Sequence, residues 1–388
     1  MSKLKIIIAT GIFPPALGGP ATFAKNLYDG LKGKGHGIKV ITFCKERAER
    51  GENIVCVPAS NLIFLRYFYF FLYLWKLSKG ADIIYAFDLI SVGLPCALIK
   101  LFRKKIKLVY RVGGDFQWEA ALQRGYFDNT LWKYWEEKRF GFYEKMVLRM
   151  TNFSLKKADF IIFNANLIKD VFLKYRGVPE IKSGVIKNFS PEANEILADL
   201  NQKQGGLIKI IFIGRLIAMK NLIRLLRAFQ ELICREPLKK KWRMELAGEG
   251  PEESRIKEYV AENGLSDYVA IRPKMSRSEV LKKIANSQII ANVSLTEVNA
   301  HFVTEALSLS KPIILTKESE QFYTGQKNEL IYYVDPLDID DIAEKILLAE
   351  KTISAETPPE KIQIHDFTWP AERVVKEHEV VFNRLLAQ

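Results

Sequence analysis

The sequence is poor in the residues that build metal clusters and disulfide frameworks, with 4 histidines and 4 cysteines in 388 residues. Cys44, Cys56, Cys96 and Cys234 lie far apart and form no Cys-x-x-Cys pair. Neither a zinc site nor a disulfide framework is expected, and a reducing compartment fits. Long hydrophobic runs are also missing. The longest, Leu62 to Leu77, is broken by Arg66 and Lys76 and falls short of the roughly 18 uninterrupted residues of a spanning helix. The amino terminus has a short apolar run with no small-residue cleavage site after it, so it reads as a first strand rather than a signal peptide. A Gly-x-Gly-x-x-Gly dinucleotide fingerprint is absent. No recognition motif or aromatic stacking platform points to nucleic acid.

What is present is ample apolar material and an uneven charge. Hydrophobic residues make up 48% and charged residues 27%, enough for two cores in a chain whose length implies two to three domains. The formal charge is +13. Residues 1–190 hold 31 Lys and Arg against 15 Asp and Glu, a net +16, and the remainder is net −3. The excess therefore belongs to the first half.

Short β-rich runs alternate with helical patterns throughout: Lys5 to Thr10, Ile38 to Phe43, Ile83 to Ala86, Lys107 to Arg111 and Phe160 to Phe163. After a polar stretch, Asn201 to Gly206, the rhythm restarts at Ile208 to Ile213 and continues through Met244 to Ala247, Val269 to Arg272, Ile289 to Val293 and Ile313 to Thr316. The pattern predicts an α/β chain with two Rossmann-like domains, divided between Asn188 and Gly206. A last amphipathic helix, Trp369 to Leu386, has Val374, Val375, Val380, Val381, Leu385 and Leu386 as its apolar stripe. Ligands of such domains bind at the carboxyl ends of the strands, in a cleft between facing edges.

Three loops at those edges carry candidate chemistry. In Phe13-Pro-Pro-Ala-Leu-Gly18-Gly19-Pro20 the paired glycines allow close backbone approach, and the following helix offers free N–H groups to an anion; a tight turn fits equally well. In Gly214-Arg215-Leu-Ile-Ala-Met-Lys220-Asn221, Arg215 and Lys220 are placed to share a diphosphate, or to be solvated surface charges. In Ser294-Leu-Thr-Glu297-Val-Asn299-Ala300-His301-Phe302-Val303-Thr-Glu305, Glu297 and Glu305 flank a helix N-terminus, where Glu305 can equally be a first-turn carboxylate.

With Gly35-His36 before the second strand and Gly248-Glu249-Gly250-Pro251, these loops make the chain resemble glycosyltransferase family 4, retaining nucleotide-sugar transferases of the GT-B fold, over nearly its whole length. The resemblance implies an acceptor domain at 1–190, a nucleotide-sugar domain at 191–365, and a helix at 366–388 packing back on the first. Arg215 and Lys220 are then implied to hold the donor diphosphate, Glu305 the ribose and Glu297 the sugar. Gly18 and Gly19 approach from the other domain, and Gly214, Asn299, Ala300, His301, Phe302, Val303 and Lys274 line the donor. Asn299-Ala300 stands where relatives usually have Phe-Gly, and Phe87-Asp88 where many have a histidine.

Asp88, Asp115, Trp118 and Glu119 are candidates for the acceptor side, Asp115 and Trp118 being readable also as a cap and a buried tryptophan. No metal ligand and no cofactor are expected beyond a UDP- or GDP-linked co-substrate, since the first domain has no Asp-x-Asp triplet and the cation pair answers the diphosphate's charge. Asp338-Ile-Asp340-Asp341 reads as the polar start of a helix. His36, His365 and His378 are read as structural or solvated, with His378 on a polar helix face.

The expected function is transfer of a sugar to an acceptor hydroxyl in glycan, cell-surface polysaccharide or glycolipid synthesis. The alternatives are a non-catalytic binder of sugar nucleotides or glycans, or a nucleotide-sugar epimerase on the same fold. The aromatic segment from Leu62 to Lys76 reads either as a buried helix or as an interfacial element. With the cations at 103–107 and 133–149 it suggests a glycan or lipid-linked acceptor and an anionic membrane surface met by residues 1–190. The expected location is the cytoplasm, peripheral to the inner membrane face.

Overall fold

The structure, a computed structural model, describes residues 3–16, 18–44, 53–58, 62–189, 207–235, 241–298, 301–319, 329–353 and 369–388. The chain forms two units: Met1–Gln117 with Glu137–Ser190 and Trp369–Gln388, and Trp118–Glu136 with Pro191–Thr368. The C-terminal segment is thus grouped with the first unit. Residues 118–136, which a single cut at 190 leaves in the first domain, are grouped with the second. By this division the first unit carries 32 Lys and Arg against 15 Asp and Glu, a net +17.

The first unit is built on β1 (Lys5–Ala9), β2 (Gly37–Cys44), β3 (Ile54–Pro58), β4 (Ile83–Ala86), β5 (Lys107–Val112), β6 (Phe160–Phe163) and β7 (Ser183–Val185). All are parallel, in the order β3-β2-β1-β4-β5-β6-β7. Central strands such as Ile83-Ile-Tyr-Ala are buried at every residue because helices cover both faces. β3 and β7 match no strand read from the sequence; β7 is three residues containing a glycine, too short to show a period.

One face packs α1 (Gly19–Gly33) and the C-terminal helix α13 (Ala371–Leu386) against Ile6, Ile8, Tyr85, Val109 and Ile162. Gly30 is needed where these helices meet, since a Cβ there would lie 2.4 Å from Val375 Cγ2. The buried stripe of α13 is Val374, Val375, His378, Glu379, Phe382 and Leu385. Val380 is exposed instead, because it lies on the far side of the helix from Val375 and Phe382.

His378 is therefore a core residue, not a solvated one. Its Nε2 lies 3.0 Å from the Tyr85 hydroxyl and its Nδ1 2.7 Å from the Val374 carbonyl. Burial, aided by the charge of Arg111, pushes the imidazole down to about 3. The native state holds His378 neutral, so the unfolded chain binds the extra proton first. Stability is full above about pH 6.5 and is lost as pH falls towards 3, by up to about 1.4 kcal/mol per unit. His378→Gln should flatten this part of the curve. Equal slopes of unfolding midpoint between pH 7 and 5 in both proteins would argue against it. His36 is also structural: its Nδ1 accepts from Leu4 N at 3.2 Å and its Nε2 meets Glu379 Oε1 at 2.8 Å.

The other face carries α2 (Ile63–Leu77), α3 (Gly93–Phe102) and α6 (Phe142–Lys157), with α3 contacting both of its neighbours. Tyr110 of β5 donates to the Gly93 carbonyl at 2.8 Å, and Ser154 of α6 donates to Leu89 O at 2.7 Å. Of α2, Phe70 and Leu74 are buried, while most of its remaining aromatics are exposed. α2 is thus neither a fully buried helix nor an ordinary amphipathic one.

One cysteine expectation is corrected. Cys44 and Cys56 form a disulfide, with Cα atoms 5.6 Å apart on the paired strands β2 and β3. The link is invisible in the sequence because strand pairing, not spacing, brings them together. Cys96 and Cys234 are free. Among the described residues, no helix is long and apolar enough to cross a membrane.

The second unit has β8 (Ile208–Ile213), β9 (Trp242–Ala247), β10 (Val269–Arg272), β11 (Ile289–Asn292), β12 (Ile313–Thr316) and β13 (Ile331–Val334), parallel in the order β10-β9-β8-β11-β12-β13. Its core packs α8 (Leu222–Cys234), α9 (Glu253–Glu262) and α12 (Ile339–Ile353) around Ile210, Phe212, Trp242 and Leu246. α10 (Arg277–Ala285) and α11 (His301–Ser308) cover the other side, where Ile211, Ile290 and Ile313 form a second cluster. β13 also lies beyond the strands read from sequence. Asp338 opens α12 as expected, its Oδ1 accepting from Asp341 N at 3.1 Å.

Candidate functional site

In the second sheet the direction of winding reverses between β8 and β11, and the crevice outside their carboxyl ends is where such sheets bind ligands. The turn after β8 is clasped by the loop after β9. Gly214 N donates to Ala247 O at 3.0 Å, Leu216 N to Glu249 O at 2.9 Å, and Glu252 N to Leu216 O at 3.0 Å. A Cβ on Gly248, whose φ is 151°, would lie 1.8 Å from Gly214 O, and one on Gly250 would lie 2.1 Å from Leu216 O. Only glycine lets the two backbones meet this closely. The Gly248-Glu-Gly250 landmark is thus a clasp that fixes the neighbouring turn, and Arg215 projects from that turn exposed, with no ion pair among the described residues.

Lys220 ends a 3-10 turn, Ala218–Lys220, and Asn221 follows with φ 60°. Asparagine tolerates this left-handed conformation, and here its side chain is also a tie. Nδ2 donates to Val293 O at 3.0 Å and to Pro336 O at 2.6 Å, joining the ends of β8, β11 and β13. Leu295 N donates to Met219 O at 2.9 Å. These bonds carry Lys220 to Glu297, and the two form a largely buried ion pair, with 13% and 12% side-chain exposure.

Burial pushes the Glu297 carboxyl up. The Lys220 ammonium, with hydrogen bonds from Lys220, Asn292 and Ser294, outweighs it and holds the carboxyl below its usual value. The donors Asn292 Nδ2 and Ser294 Oγ each lie 3.3 Å away. Ser319 Oγ donates to the Glu297 carbonyl at 2.6 Å.

Glu305 is buried in α11 and paired with Arg277 at the first turn of α10. Burial pushes its carboxyl up, against the opposing pull of Arg277. Arg277 was not singled out from sequence, although the Ser276-x-x-Glu279 capping box beside it announces the helix start that aims it. Glu318, just after β12, was also missed; burial pushes it up to about 7. Val303 is buried and Lys274 is exposed in the loop between β10 and α10. Asn299 and Ala300 lie outside the described residues, as do the side chains of His301 and Phe302, and His365.

Residues 118–136 buttress the same loops. Gln123 Oε1 accepts from Ala218 N at 3.2 Å, and its Nε2 donates to Glu252 at 2.9 Å. Thr296 Oγ1 accepts from Leu131 N at 3.1 Å. Arg224 makes a bidentate pair with Asp128 at 2.9 and 2.8 Å. Trp118 is buried in this segment, its Nε1 donating to Asn129 O at 3.0 Å, and Glu119 is half-buried. No local periodicity marks the segment as part of the second unit; only its contacts do.

The remaining candidates belong to the first unit. Gly18 precedes α1 with φ 153°, and a Cβ on Gly19 would meet nothing within 4 Å, so that turn is open to a ligand's approach. Asp88 is saturated as a cap: Oδ1 accepts from Ile90, Val92 and Gly93 N at 2.8, 3.1 and 3.4 Å, and Oδ2 from Ser91 Oγ. Asp115 is buried 4.0 Å from Arg176 Nη1. The donor candidates Arg215, Lys220, Glu297 and Glu305 are thus gathered on the second sheet, whereas Asp88 and Asp115 are bound up within the first unit and Trp118 and Glu119 belong to the second.

Comparison with known proteins agrees with this architecture. The family model described as Glycosyltransferase Family 4 matches residues 17–190, and that described as Glycosyl transferases group 1 matches residues 195–357. No curated protein matches in sequence. Among solved structures, sucrose-phosphate synthase from Thermosynechococcus elongatus is 15% identical with TM-score 0.75, covering 99% of both chains. HepE from Anabaena in complex with UDP is 16% identical with TM-score 0.63, covering 99% of this chain and 98% of that one. The lipopolysaccharide outer core galactosyltransferase WaaB is 16% identical with TM-score 0.65, covering 98% and 99%. At such identities the likeness establishes the fold. With the two models together matching residues 17–190 and 195–357, the chain belongs to the family 4 glycosyltransferases of the GT-B fold.

Proposed function

We propose that this glycosyltransferase moves a sugar from a UDP- or GDP-linked donor to a hydroxyl of a glycan or lipid-linked acceptor, with retention at the anomeric carbon and without a metal or other cofactor. The observation that carries the reading is an exposed guanidinium, Arg215, which makes no ion pair among the described residues, on the turn that leads to the Lys220–Glu297 pair at the point where the second sheet reverses its winding. Structural neighbours solved with UDP, UDP-glucose or ADP support a nucleotide donor.

The departing nucleoside diphosphate gains negative charge as the bond to the anomeric carbon breaks. Arg215 and Lys220, fixed in advance by the β8–β9 clasp and the Asn221 ties, stabilise that charge more than they stabilise the ground state. Glu297, held ionised, orients Lys220 and accepts from a sugar hydroxyl. Glu305 accepts from the ribose. The leaving phosphate oxygen takes the acceptor's proton on the same face of the sugar, so no protein nucleophile is used. Because nucleotide sugars are cytoplasmic metabolites, the reaction is placed at the cytoplasmic side. The net +17 of the first unit directs it to an anionic membrane surface that carries the acceptor.

A thermal-shift panel of UDP, GDP and their sugars tests the donor reading. The cognate compound at 100 times its Kd should add about 2.7 kcal/mol of stability. No response to any of them would refute it. Determining the anomer of the product by NMR tests retention, and an inverted product would overturn that step.

A further inference from the structure

We propose that α2, α3 and α6 of the first unit form a membrane-insertion face that seats in the headgroup and acyl boundary of an anionic bilayer. The proposal deepens the reading of a membrane-borne acceptor by naming the surface that meets the lipid.

Among the described side chains of α2 the exposed ones are Phe64, Leu65, Phe68, Tyr69, Leu72, Tyr73, Trp75 and Lys76, which fall along one side of the helix. On a helix facing water this stripe is polar. Here seven of the eight are large and apolar, while the opposite face, with Phe70 and Leu74, is spent on the protein core. α3 adds Leu98, Leu101 and Phe102, and α6 adds Phe142 and Met146. The tips are fully presented, with Phe64 83%, Phe102 67% and Phe142 86% exposed. Apolar surface on this scale marks an interaction site.

The charge around it selects the partner. α2 and α3 contain no Asp or Glu, and the single carboxylate of α6, Glu144, is buried. The exposed charges on these helices and in the turn just after α3 are all positive: Lys76, Lys104, Lys105, Lys145, Arg149 and Lys156. Aromatic side chains rimmed by cations of one sign match the interface of an anionic leaflet, where rings sit at headgroup level and ammonium groups meet phosphates. A self-associating face would bring those like charges together.

A largely apolar groove of about 260 Å³ opens on the same face, lined by Tyr67, Phe68 and Phe71 of α2 and Leu94, Pro95, Leu98 and Phe102 of α3. Its inner end, at Leu94 and Pro95, lies in the first turn of α3, directly after the Asp88-capped turn at the carboxyl end of β4. Such a lining would suit a hydrocarbon chain of the bilayer better than a polar ligand.

The test is flotation of the full chain with vesicles of phosphatidylcholine alone, and of phosphatidylcholine with about a third phosphatidylglycerol. Wild type should float with the anionic vesicles at low salt. The triple variant Phe64→Glu/Phe68→Glu/Phe102→Glu should lose at least about tenfold in partition while its unfolding midpoint holds. Brominated acyl chains should quench tryptophan emission in wild type, and less so in Trp75→Phe. Three results would overturn the proposal: no partition onto either vesicle, unchanged partition of the triple variant, or a vesicle-free dimer that the same variant abolishes. Hydrolysis of the donor in solution is measured in parallel. It reports on the transferase reading alone, so either idea can fail without the other.

Discussion

Arg215→Ala should lower kcat about 100-fold or more while leaving the unfolding midpoint nearly unchanged. The two halves of this expectation have separate grounds. Arg215 is exposed and makes no ion pair among the described residues, so truncating it removes little from the fold, within about 0.5 kcal/mol. A donor aimed at charge that develops in the transition state is typically worth about 100-fold or more when deleted. kcat and kcat/KM should therefore fall together, because the lost interaction strengthens as the diphosphate departs. Arg215→Lys should recover only part, since an ammonium lacks the planar fork that spans two phosphate oxygens. Steady-state kinetics with the donor identified by thermal shift check the result. Turnover within about twofold of wild type would remove Arg215 from the diphosphate site.

The second large effect is on stability. Glu297→Ala leaves the mostly buried Lys220 ammonium uncompensated, and breaking such a pair typically costs about 3–5 kcal/mol. The Lys220→Met/Glu297→Leu double variant removes both charges and should recover much of that loss, though neither protein should turn over the donor. The pair also sets a pH dependence. The Glu297 carboxyl is held below its unfolded value, so its stabilising contribution is present above the unfolded pKa near 4.5 and disappears as pH falls through the lower native value. Denaturant unfolding at pH 7 of wild type, Lys220→Met, Glu297→Leu and the Lys220→Met/Glu297→Leu double variant measures the coupling. Additive single effects would show that the pair is not a unit.

Both expectations depend on where loops come together, and this is where the sequence was only partly legible. Ten of the thirteen strands among the described residues were readable because parallel strands buried on both faces appear as short apolar runs. β3, β7 and β13 were not, since short or edge strands present too little pattern. Arg215, Lys220, Glu297 and Glu305 stood out as polar residues in the loops and first helical turn that follow predicted strands, with their roles implied only by the family resemblance. The structure adds that Lys220 and Glu297 meet, because Leu295 N and the Asn221 side chain tie their loops. Arg277 was missed because nothing in its spacing relates it to Glu305.

His378 shows the converse limit. A histidine flanked by glutamates on a terminal helix reads as lying on the polar face, yet the turn spacing with Val374 and Phe382 puts it in the stripe facing the sheet, against Tyr85. The pairing of Cys44 with Cys56 likewise depends on the register of β2 and β3, which spacing does not contain.

By itself, then, the sequence determined the class of fold and the basic character of the first half, and it marked the loops in which the proposed chemistry is placed. These are properties of local periodicity, of turn chemistry and of composition, and each is written in consecutive residues. The tertiary structure alone decided which carboxylate meets which cation, that residues 118–136 buttress the second unit, and that the apolar side of α2 faces outward. Those outcomes depend on pairing between residues distant in sequence. An aromatic helix has the same period whichever side the rest of the protein covers.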